Sequence, residues 1–361
     1  KSYSCCTLQL LAIRVVFLRH KRSFRWSLFS TKKKQTPITP GFSFPSGLKK
    51  MKHLITIIGP TAIGKTALSI QLAQHYNCEI ISCDSRQFFK EMTIGTAVPS
   101  NEELKAAKHH FIQNKSIFEN YTVGDYEKEA LSKINELFQT NDYVVLIGGS
   151  GLYVDAVLKG FDAFPDIDPN VRATIQSQYE TDGISYLQKQ LKALDPIYYE
   201  KINNENPQTL LNPQRMMRFV EVCVGTEKPY SSFLNRQKNN RNFNPILIGL
   251  EAERAIIYDR INLRVDIMLQ QGLVEEAQNL YPHKSLNALQ TVGYRELFSH
   301  FDGEWDLAFA IEEIKKNTRR FSKRQLTWFK RNEHTQWFDF KTATATITDY
   351  IDSQIQQSIT L

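Results

Sequence analysis

Leu54-Ile-Thr-Ile-Ile58 is an apolar, β-branched run that predicts a buried strand, and residues 67–73 after it carry the apolar spacing of a helix. Cys78-Glu-Ile-Ile-Ser-Cys83 predicts a second strand. Tyr143-Val-Val-Leu-Ile147 predicts a third, running into Gly148-Gly-Ser-Gly151 and a helix from Leu152. From about Asp168 to Asn240 the pattern turns polar and helical, entered at Asp166-Ile-Asp-Pro169 and left through Arg236-Gln-Lys-Asn-Asn-Arg241. Pro245-Ile-Leu-Ile-Gly-Leu250 returns to strand. The helix after it places Ile257, Ile261, Val265 and Met268 on one stripe and Arg254, Arg260 and Arg264 on a different face. A last long helix is expected over residues 307–331. Strands alternating with helices predict an α/β fold with a parallel sheet flanked by helices, built from residues 51–167 and 241–361. An all-helical subdomain, 168–240, is inserted into it. No fixed-period repeat or low-complexity tract interrupts this plan.

Between the first strand and its helix, Gly59-Pro-Thr-Ala-Ile-Gly-Lys-Thr66 matches G-x-x-x-x-G-K-[ST] at every fixed position, which makes the core P-loop NTPase-like. Gly59, Pro60, Thr61, Ala62, Ile63 and Gly64 form the loop that turns backbone N–H groups and a helix N-terminus toward a phosphate-sized hollow. Lys65 is placed to reach the ligand's terminal phosphate and the Thr66 hydroxyl to hold a magnesium ion. The plain alternative is a glycine turn joining strand to helix; the flanking elements favour phosphate binding. Ligands of a parallel sheet sit outside the carboxyl ends of its strands, where the P-loop, Asp84 and Ser150 all fall.

Phosphoryl-transfer enzymes with this loop hold the metal with an acid at the end of a neighbouring apolar strand. Here the best such strand, residues 143–147, ends in glycines and a serine, which weakens a motor or switch reading. Asp84 has three readings: metal ligand, N-cap of a following helix, or general base. Ser150 is either part of a tight turn or a hydroxyl donor to an anionic ligand. Arg215 and Arg218 share a helix face, as solvated pairs commonly do. The last helix carries Lys315, Lys316, Arg319, Arg320, Lys323, Arg324, Lys330 and Arg331 with Phe321, Trp328 and Phe329 interleaved. That pattern suits either a solvated face or a surface for single-stranded RNA. His109 and His110 are adjacent and point apart, so no shared metal is expected of them.

The 361 residues carry a formal charge of +7, yet 11 of the 45 basic residues and no acidic one lie in residues 1–50. The remainder holds 34 basic against 38 acidic residues, so nucleic-acid contact there must come from local patches. Residues 1–50 have the basic, acid-free composition of an organelle transit peptide. The chain does not begin with Met, and Met51 stands directly before the first strand, so upstream sequence included by a misplaced start is the favoured expectation over targeting. The cysteines, Cys5, Cys6, Cys78, Cys83 and Cys223, form neither a zinc pattern nor an even disulfide framework, which fits a reducing compartment. The longest apolar run of the extension, residues 8–18, is broken by Arg14 and too short to span a bilayer.

Several segments together resemble the tRNA dimethylallyltransferases, or isopentenyltransferases. They are the P-loop, Asp84-Ser-Arg-Gln-Phe-Phe89 with Met92-Thr-Ile-Gly-Thr-Ala97, Gly148-Gly-Ser-Gly-Leu-Tyr153, Asn212-Pro-Gln-Arg215, Thr291-Val-Gly-Tyr-Arg-Glu296 and Lys323-Arg-Gln-Leu-Thr-Trp328. They follow the family's order from Met51 nearly to the end. The resemblance implies transfer of a dimethylallyl group from its diphosphate to the exocyclic N6 of the adenosine just 3′ of the anticodon. In that reading the P-loop grips the leaving diphosphate with Lys65, Thr66 and Mg2+, and Asp84 takes a proton from the adenine amine. Ser150 stands where the family commonly has Thr and keeps the hydroxyl.

Contacts to tRNA are implied for Asp84, Ser85, Arg86, Gln87, Ser150, Arg172, Gln214, Arg215 and Arg218, the two last also serving the diphosphate. Gln290, Gly293, Tyr294, Arg295, Lys323, Arg324, Gln325, Trp328 and Lys330 match further tRNA-facing stretches. The inserted subdomain would hold the anticodon stem. Eukaryotic members often add a C-terminal zinc finger; no cysteine follows Cys223, so the bacterial type is nearer. The implied partners are the tRNA anticodon stem-loop and dimethylallyl diphosphate, handled by a cytoplasmic monomer without a membrane. Three other readings remain open at this point: a small-molecule kinase, a transferase of free adenine nucleotides, and a non-catalytic RNA-binding protein.

Overall fold

The structure, a computed structural model, describes residues 51–162, 164–234 and 241–359. The expectations for residues 1–50, including Cys5 and Cys6, and for most of the polar stretch 236–241 lie outside the described residues.

The chain runs β1 (His53–Ile58), α1 (Lys65–His75), β2 (Ile80–Ser82), α2 (Asn101–Ala106), β3 (His109–His110), α3 (Val123–Leu137), β4 (Tyr143–Ile147) and α4 (Gly151–Lys159). Four helices follow: α5 (Pro169–Asp182), α6 (Ile184–Leu194), α7 (Pro196–Glu205) and α8 (Pro213–Thr226). The sheet resumes with β5 (Asn244–Glu251), then α9 (Arg254–Gln270), α10 (Leu273–Leu280), α11 (Tyr294–Phe301), α12 (Leu307–Phe329), β6 (Gln336–Asp339) and α13 (Thr344–Ile359).

The six strands among the described residues are all parallel, in the order β3-β2-β4-β1-β5-β6, with β1 flanked by β4 and β5. The order reverses beside β1, where a parallel sheet opens its ligand crevice. Side chains of β1 alternate between two cores, as the period of two requires. Ile55 and Ile57 join the residues of α1, α9 and α13, while Leu54 and Ile58 join those of α3 and α4. A third apolar cluster gathers Phe89 and Met92 with α10 and α11 and with Ile314 of α12. Helices α5–α8 bury their own cluster around Leu187, Met216 and Val220.

The strand and helix patterns of the sequence agree with the structure where burial repeats over several turns. β2 is shorter than its apolar run, β3 and β6 carry no strong apolar signal, and α12 ends at Phe329 with Lys330 as its C-cap. The helical stretch is punctuated by side-chain caps: Asp168, Asp195 and Asn212 each accept a backbone N–H at the start of their helix, with proline in the first turn. Asp195 is buried and also accepts from Ser231 N at 2.7 Å, tying α7 to the chain that leaves α8.

The sheet's rim is tight where β4 ends. A Cβ on Gly148 would lie 2.3 Å from Cys83 Sγ and 2.9 Å from the Cys83 carbonyl carbon, so the ends of β2 and β4 meet only without a side chain there. Gly148→Ala is therefore expected to lower stability by about 2 kcal/mol through overpacking, read as a reduced melting temperature with an unchanged circular dichroism spectrum.

Candidate active site

β1 delivers the chain into a loop whose geometry needs glycine at two points. Gly59 has φ 148° and would clash with the Leu250 carbonyl if it bore a Cβ; Gly64 has φ 112°. α1 then begins at Lys65 with no side-chain cap, leaving its first-turn N–H groups directed at the space above the loop. Lys65 Nζ curls back over that loop and donates to the carbonyls of Gly59, at 3.0 Å, and Pro60, at 2.7 Å. Burial pushes its pKa down to about 8, against the raising effect of nearby Asp84 and with a further lowering from Arg264.

Asp84 does not cap a helix. Its Oδ1 accepts from Arg86 N at 3.0 Å, an Asx turn, and the chain continues through turns rather than a helix. Ser150 precedes α4 but makes no cap either. Its Oγ accepts from Ser85 N at 3.1 Å and donates to Ser85 Oγ at 3.0 Å, so the ends of β2 and β4 are laced by hydroxyls.

Two cavities adjoin here. The inner one, about 370 Å³, is lined by Thr61–Ala67 with Asp84, Arg264 and the apolar side chains of Ile94, Val98, Ile112 and Met268. The outer one, about 550 Å³, is lined by Ser150, Arg86, Arg295, Arg324, Gln325 and Trp328, among others. Thr61, Asp84, Thr96, Gly149, Arg264 and Met268 belong to both walls. A carboxylate and a guanidinium thus stand at the junction of the P-loop cavity and a cation-rimmed one.

The wall segment 92–97 is held by a residue that no sequence pattern singles out. Glu276 of α10 accepts from three successive N–H groups, Thr93 (3.0 Å), Ile94 (2.8 Å) and Gly95 (2.9 Å), and from Tyr294 OH at 2.7 Å. Three of its four donors are backbone N–H groups distant in sequence, so no spacing signal exists for it. Gln87 Nε2 secures the same segment by donating to the carbonyls of Thr96 and Ala97. Arg264 did carry a signal: it lies four residues from Arg260, off the apolar stripe of α9. Arg260 Nε donates to Ala62 O at 2.7 Å and Arg264 Nη1 reaches Thr61 Oγ1 at 3.5 Å, so both arginines grip the P-loop from outside.

The other sequence-predicted residues divide. Arg86 donates twice, to the carbonyls of Asn287 and Ala288, and burial lowers its pKa. Tyr294, Gly293 and Gln325 are internal, whereas Gln290, Arg295, Lys323, Arg324 and Lys330 are exposed. Arg324 lies over the Phe321 ring and Lys330 pairs with Glu251 at 2.8 Å. Trp328 Nε1 donates to Asp155 at 2.8 Å. Arg172 and Arg218 converge on the buried Glu221 at 2.9 and 3.4 Å, and Arg172 also donates to Gln214. Arg215 sits on α8 beside Thr209 and lines a different cavity with Tyr198 and Lys201. Neither Arg215 nor Arg218 lines the two cavities at the P-loop; the arginine lining both is Arg264.

His109 and His110 do diverge. His109 Nδ1 meets Ala107 O at 2.8 Å on the inner cavity's wall, while His110 Nε2 meets Glu79 at 2.5 Å. Among the described residues no group of three or more His, Cys, Asp or Glu could hold a metal ion, and no helix is long and apolar enough to cross a membrane. What the inner cavity offers a magnesium ion is the Thr66 hydroxyl with the Asp84 carboxylate on the same wall; Glu103, which also lines it, accepts from Ser100 N in the cap of α2. That sparse set suits a metal sharing its coordination with phosphate oxygens and water.

The sequence profile of the IPP transferase family matches residues 87–332. A tRNA dimethylallyltransferase of Flavobacterium johnsoniae is 76% identical over 309 residues, covering 86% of this chain and 100% of its own length. One from Flavobacterium psychrophilum is 69% identical over 306 residues, covering 85% and 100%. Among solved structures, a tRNA isopentenylpyrophosphate transferase from Bacillus halodurans is 34% identical with a TM-score of 0.63, over 85% of this chain and 97% of that one. A eukaryotic dimethylallyltransferase acting on tRNA is 25% identical with a TM-score of 0.64, over 84% and 80%. By sequence over nearly the whole described region, and by fold, this chain belongs to the tRNA dimethylallyltransferase family of IPP transferases.

Proposed function

We propose that the protein transfers a dimethylallyl group from dimethylallyl diphosphate to N6 of the adenosine 3′ of the anticodon in tRNA, releasing diphosphate. The observation that carries this reading is the position of Asp84, on the wall common to the P-loop cavity and the cation-rimmed cavity. A donor seated with its diphosphate on the P-loop and an adenine extruded into the outer cavity would meet beside that carboxylate. The allylic C–O bond breaks, its electron pair leaves with the diphosphate, and the N6–C bond forms as Asp84 accepts the amine proton. Lys65, the α1 N-terminus and Arg264 offset the charge that develops on the leaving oxygen. The Thr66 hydroxyl and the diphosphate would hold Mg2+, which would supply further neutralisation of that charge. Ser150, fixed by Ser85, orients the groups at the junction.

The assignment of diphosphate contacts to Arg215 and Arg218 is replaced in this proposal by Arg264. Arg172, Gln214 and Arg218, organised by Glu221 on the α5–α8 unit, are left to the anticodon stem. Arg295, Lys323 and Arg324 face the RNA at the outer cavity. Every group invoked comes from one chain, so a monomer suffices, working in the cytoplasm. A phosphoryl-transfer reading finds no acid at the end of β4, where Gly148 and Gly149 stand instead.

Supplying dimethylallyl diphosphate, Mg2+ and either tRNA or AMP, then weighing the nucleosides by mass spectrometry, tests the reading directly; prenylated adenosine from tRNA alone is expected. Asp84→Asn is expected to bind tRNA within about twofold of wild type and to lose at least ~100-fold in turnover. Undiminished turnover would remove Asp84 as the base.

A pH dependence follows from Lys65. Below about pH 8 its ammonium is charged in the free protein; above that, burial strips the proton, whereas bound diphosphate favours the charged form. Donor binding must then take up a proton, so its KM should hold steady up to about pH 8 and rise roughly tenfold per unit beyond. Lys65→Arg, whose guanidinium stays charged, should flatten that slope even if it lowers the overall rate. Steady-state kinetics from pH 7 to about 9.5 read both outcomes.

A further inference from the structure

α12 has two unlike faces. Arg320, Lys323 and Arg324 are exposed, while Ser322, Gln325 and Phe329 are buried. Gln325, only 6% exposed, lies between the two loops that carry the reactive groups. Its Oε1 accepts from Thr61 N at 2.9 Å, and its Nε2 donates to Gly149 O at 2.9 Å. One side chain therefore joins the loop after β1, which ends in Lys65 and Thr66, to the turn after β4, which presents Ser150. The fit is close: a Cβ on Gly149 would come within 2.4 Å of Gln325 Nε2, and Lys65 Nζ is its neighbour at 3.8 Å.

The same crest of the P-loop is held by Arg260 and Arg264 of α9. α9 and α12 are themselves cross-linked, by Arg319 donating to Asn262 at 2.7 Å and by the Lys315–Asp266 pair at 2.9 Å. The two helices form one body with a cationic outer face and an inner face fastened to the phosphate loop. We propose that Gln325 is a positioning residue that couples RNA docking on the outer face of α12 to diphosphate binding in the P-loop. A buried amide with both hydrogen bonds made leaves little slack, so a shift of α12 moves Thr61 and Gly149 with it. RNA that fixes Lys323 and Arg324 fixes those loops in the arrangement a diphosphate needs. The coupling is reciprocal: diphosphate strengthens RNA binding by the same factor. This inference rests on the proposal that α12 faces RNA.

The test uses the full chain with inorganic diphosphate and Mg2+ as probe, titrated calorimetrically with and without an anticodon stem-loop; without a prenyl group no reaction intervenes. In the wild type the RNA is expected to tighten diphosphate binding about fivefold or more. In Gln325→Met, similar in size and without either hydrogen bond, that ratio should fall to within about twofold of unity. Gln325→Glu keeps the acceptor for Thr61 but sets a carboxylate oxygen against Gly149 O. Its ratio should be low at pH 8 and recover toward pH 6 as the carboxyl gains a proton to donate, a reversal that a loss of packing would not produce. It also serves if the Met variant fails to fold. A wild-type ratio near one, or one unchanged in the variants, overturns the coupling. A wild type that shows the ratio yet never prenylates tRNA overturns the proposed function and leaves the coupling standing.

Discussion

Lys65, Arg86 and Arg264 are desolvated around the Asp84 carboxylate, and in each case burial disfavours the cation while Asp84, preceded at Arg264 by Glu103, favours it. Three partly buried positive charges against two carboxylates leave a positive excess that a bound anion would complete. Partial neutralisation comes from carbonyl oxygens: Gly59 and Pro60 receive Lys65, and Asn287 and Ala288 receive Arg86. The uncapped first turn of α1 adds to the excess, since its N–H groups carry positive partial charge with no side-chain acceptor. A polyanion resolves all of these at once. The sheet matters because it brings the ends of β1, β2 and β4 together, so that the cations cannot avoid one another.

A site under that tension has to be held by its surroundings, and the fastenings are polar side chains spent on backbone atoms. Glu276 gathers the N–H groups of segment 93–95, Gln87 takes two carbonyls of the same segment, and Gln325 bridges Thr61 to Gly149. Glu276 and Gln325 stand on helices whose apolar sides pack elsewhere, and Gln87 on the turns after β2. The cavity walls are therefore set by α10 and α12 rather than by the sheet alone. The cluster joining Met92 to Leu273 and Tyr294 gives that arrangement its rigidity.

The parallel core was legible because β1, β4 and β5 are buried on both faces and read as continuous apolar runs. The P-loop was legible because its chemistry is local: one loop, one helix start. Asp84 was open between roles because its neighbours in sequence are consistent with a cap, and only the turn that follows removes that role. β3 and β6 were missed for a different reason. They are edge strands of two and four residues that contribute little apolar surface. Arg215 and Arg218 show the limit of spacing: three residues apart on one helix, they belong to different arrangements, Arg218 to Glu221 and Arg215 to Thr209. Glu276 and Gln325 were invisible as fasteners, since nothing in a sequence marks which distant backbone group a carboxylate or amide will meet.

The departure of β4 from the phosphoryl-transfer pattern has a steric cause. At Gly148, Gly149 and Gly151 a Cβ would run respectively into Cys83, Gln325 and Trp328, at 2.3 to 2.4 Å. The last two neighbours belong to α12, the helix with the exposed arginines and lysines. An acidic side chain at position 149 would displace Gln325 and, through it, the seating of α12 against the P-loop. The strand end can carry a metal-binding acid or admit that helix, and in this chain it admits the helix. Loss of the acid costs little if no nucleotide is hydrolysed, because departure of diphosphate from carbon needs only the anion held and the acceptor aligned, the parts proposed above for the P-loop and the face of α12.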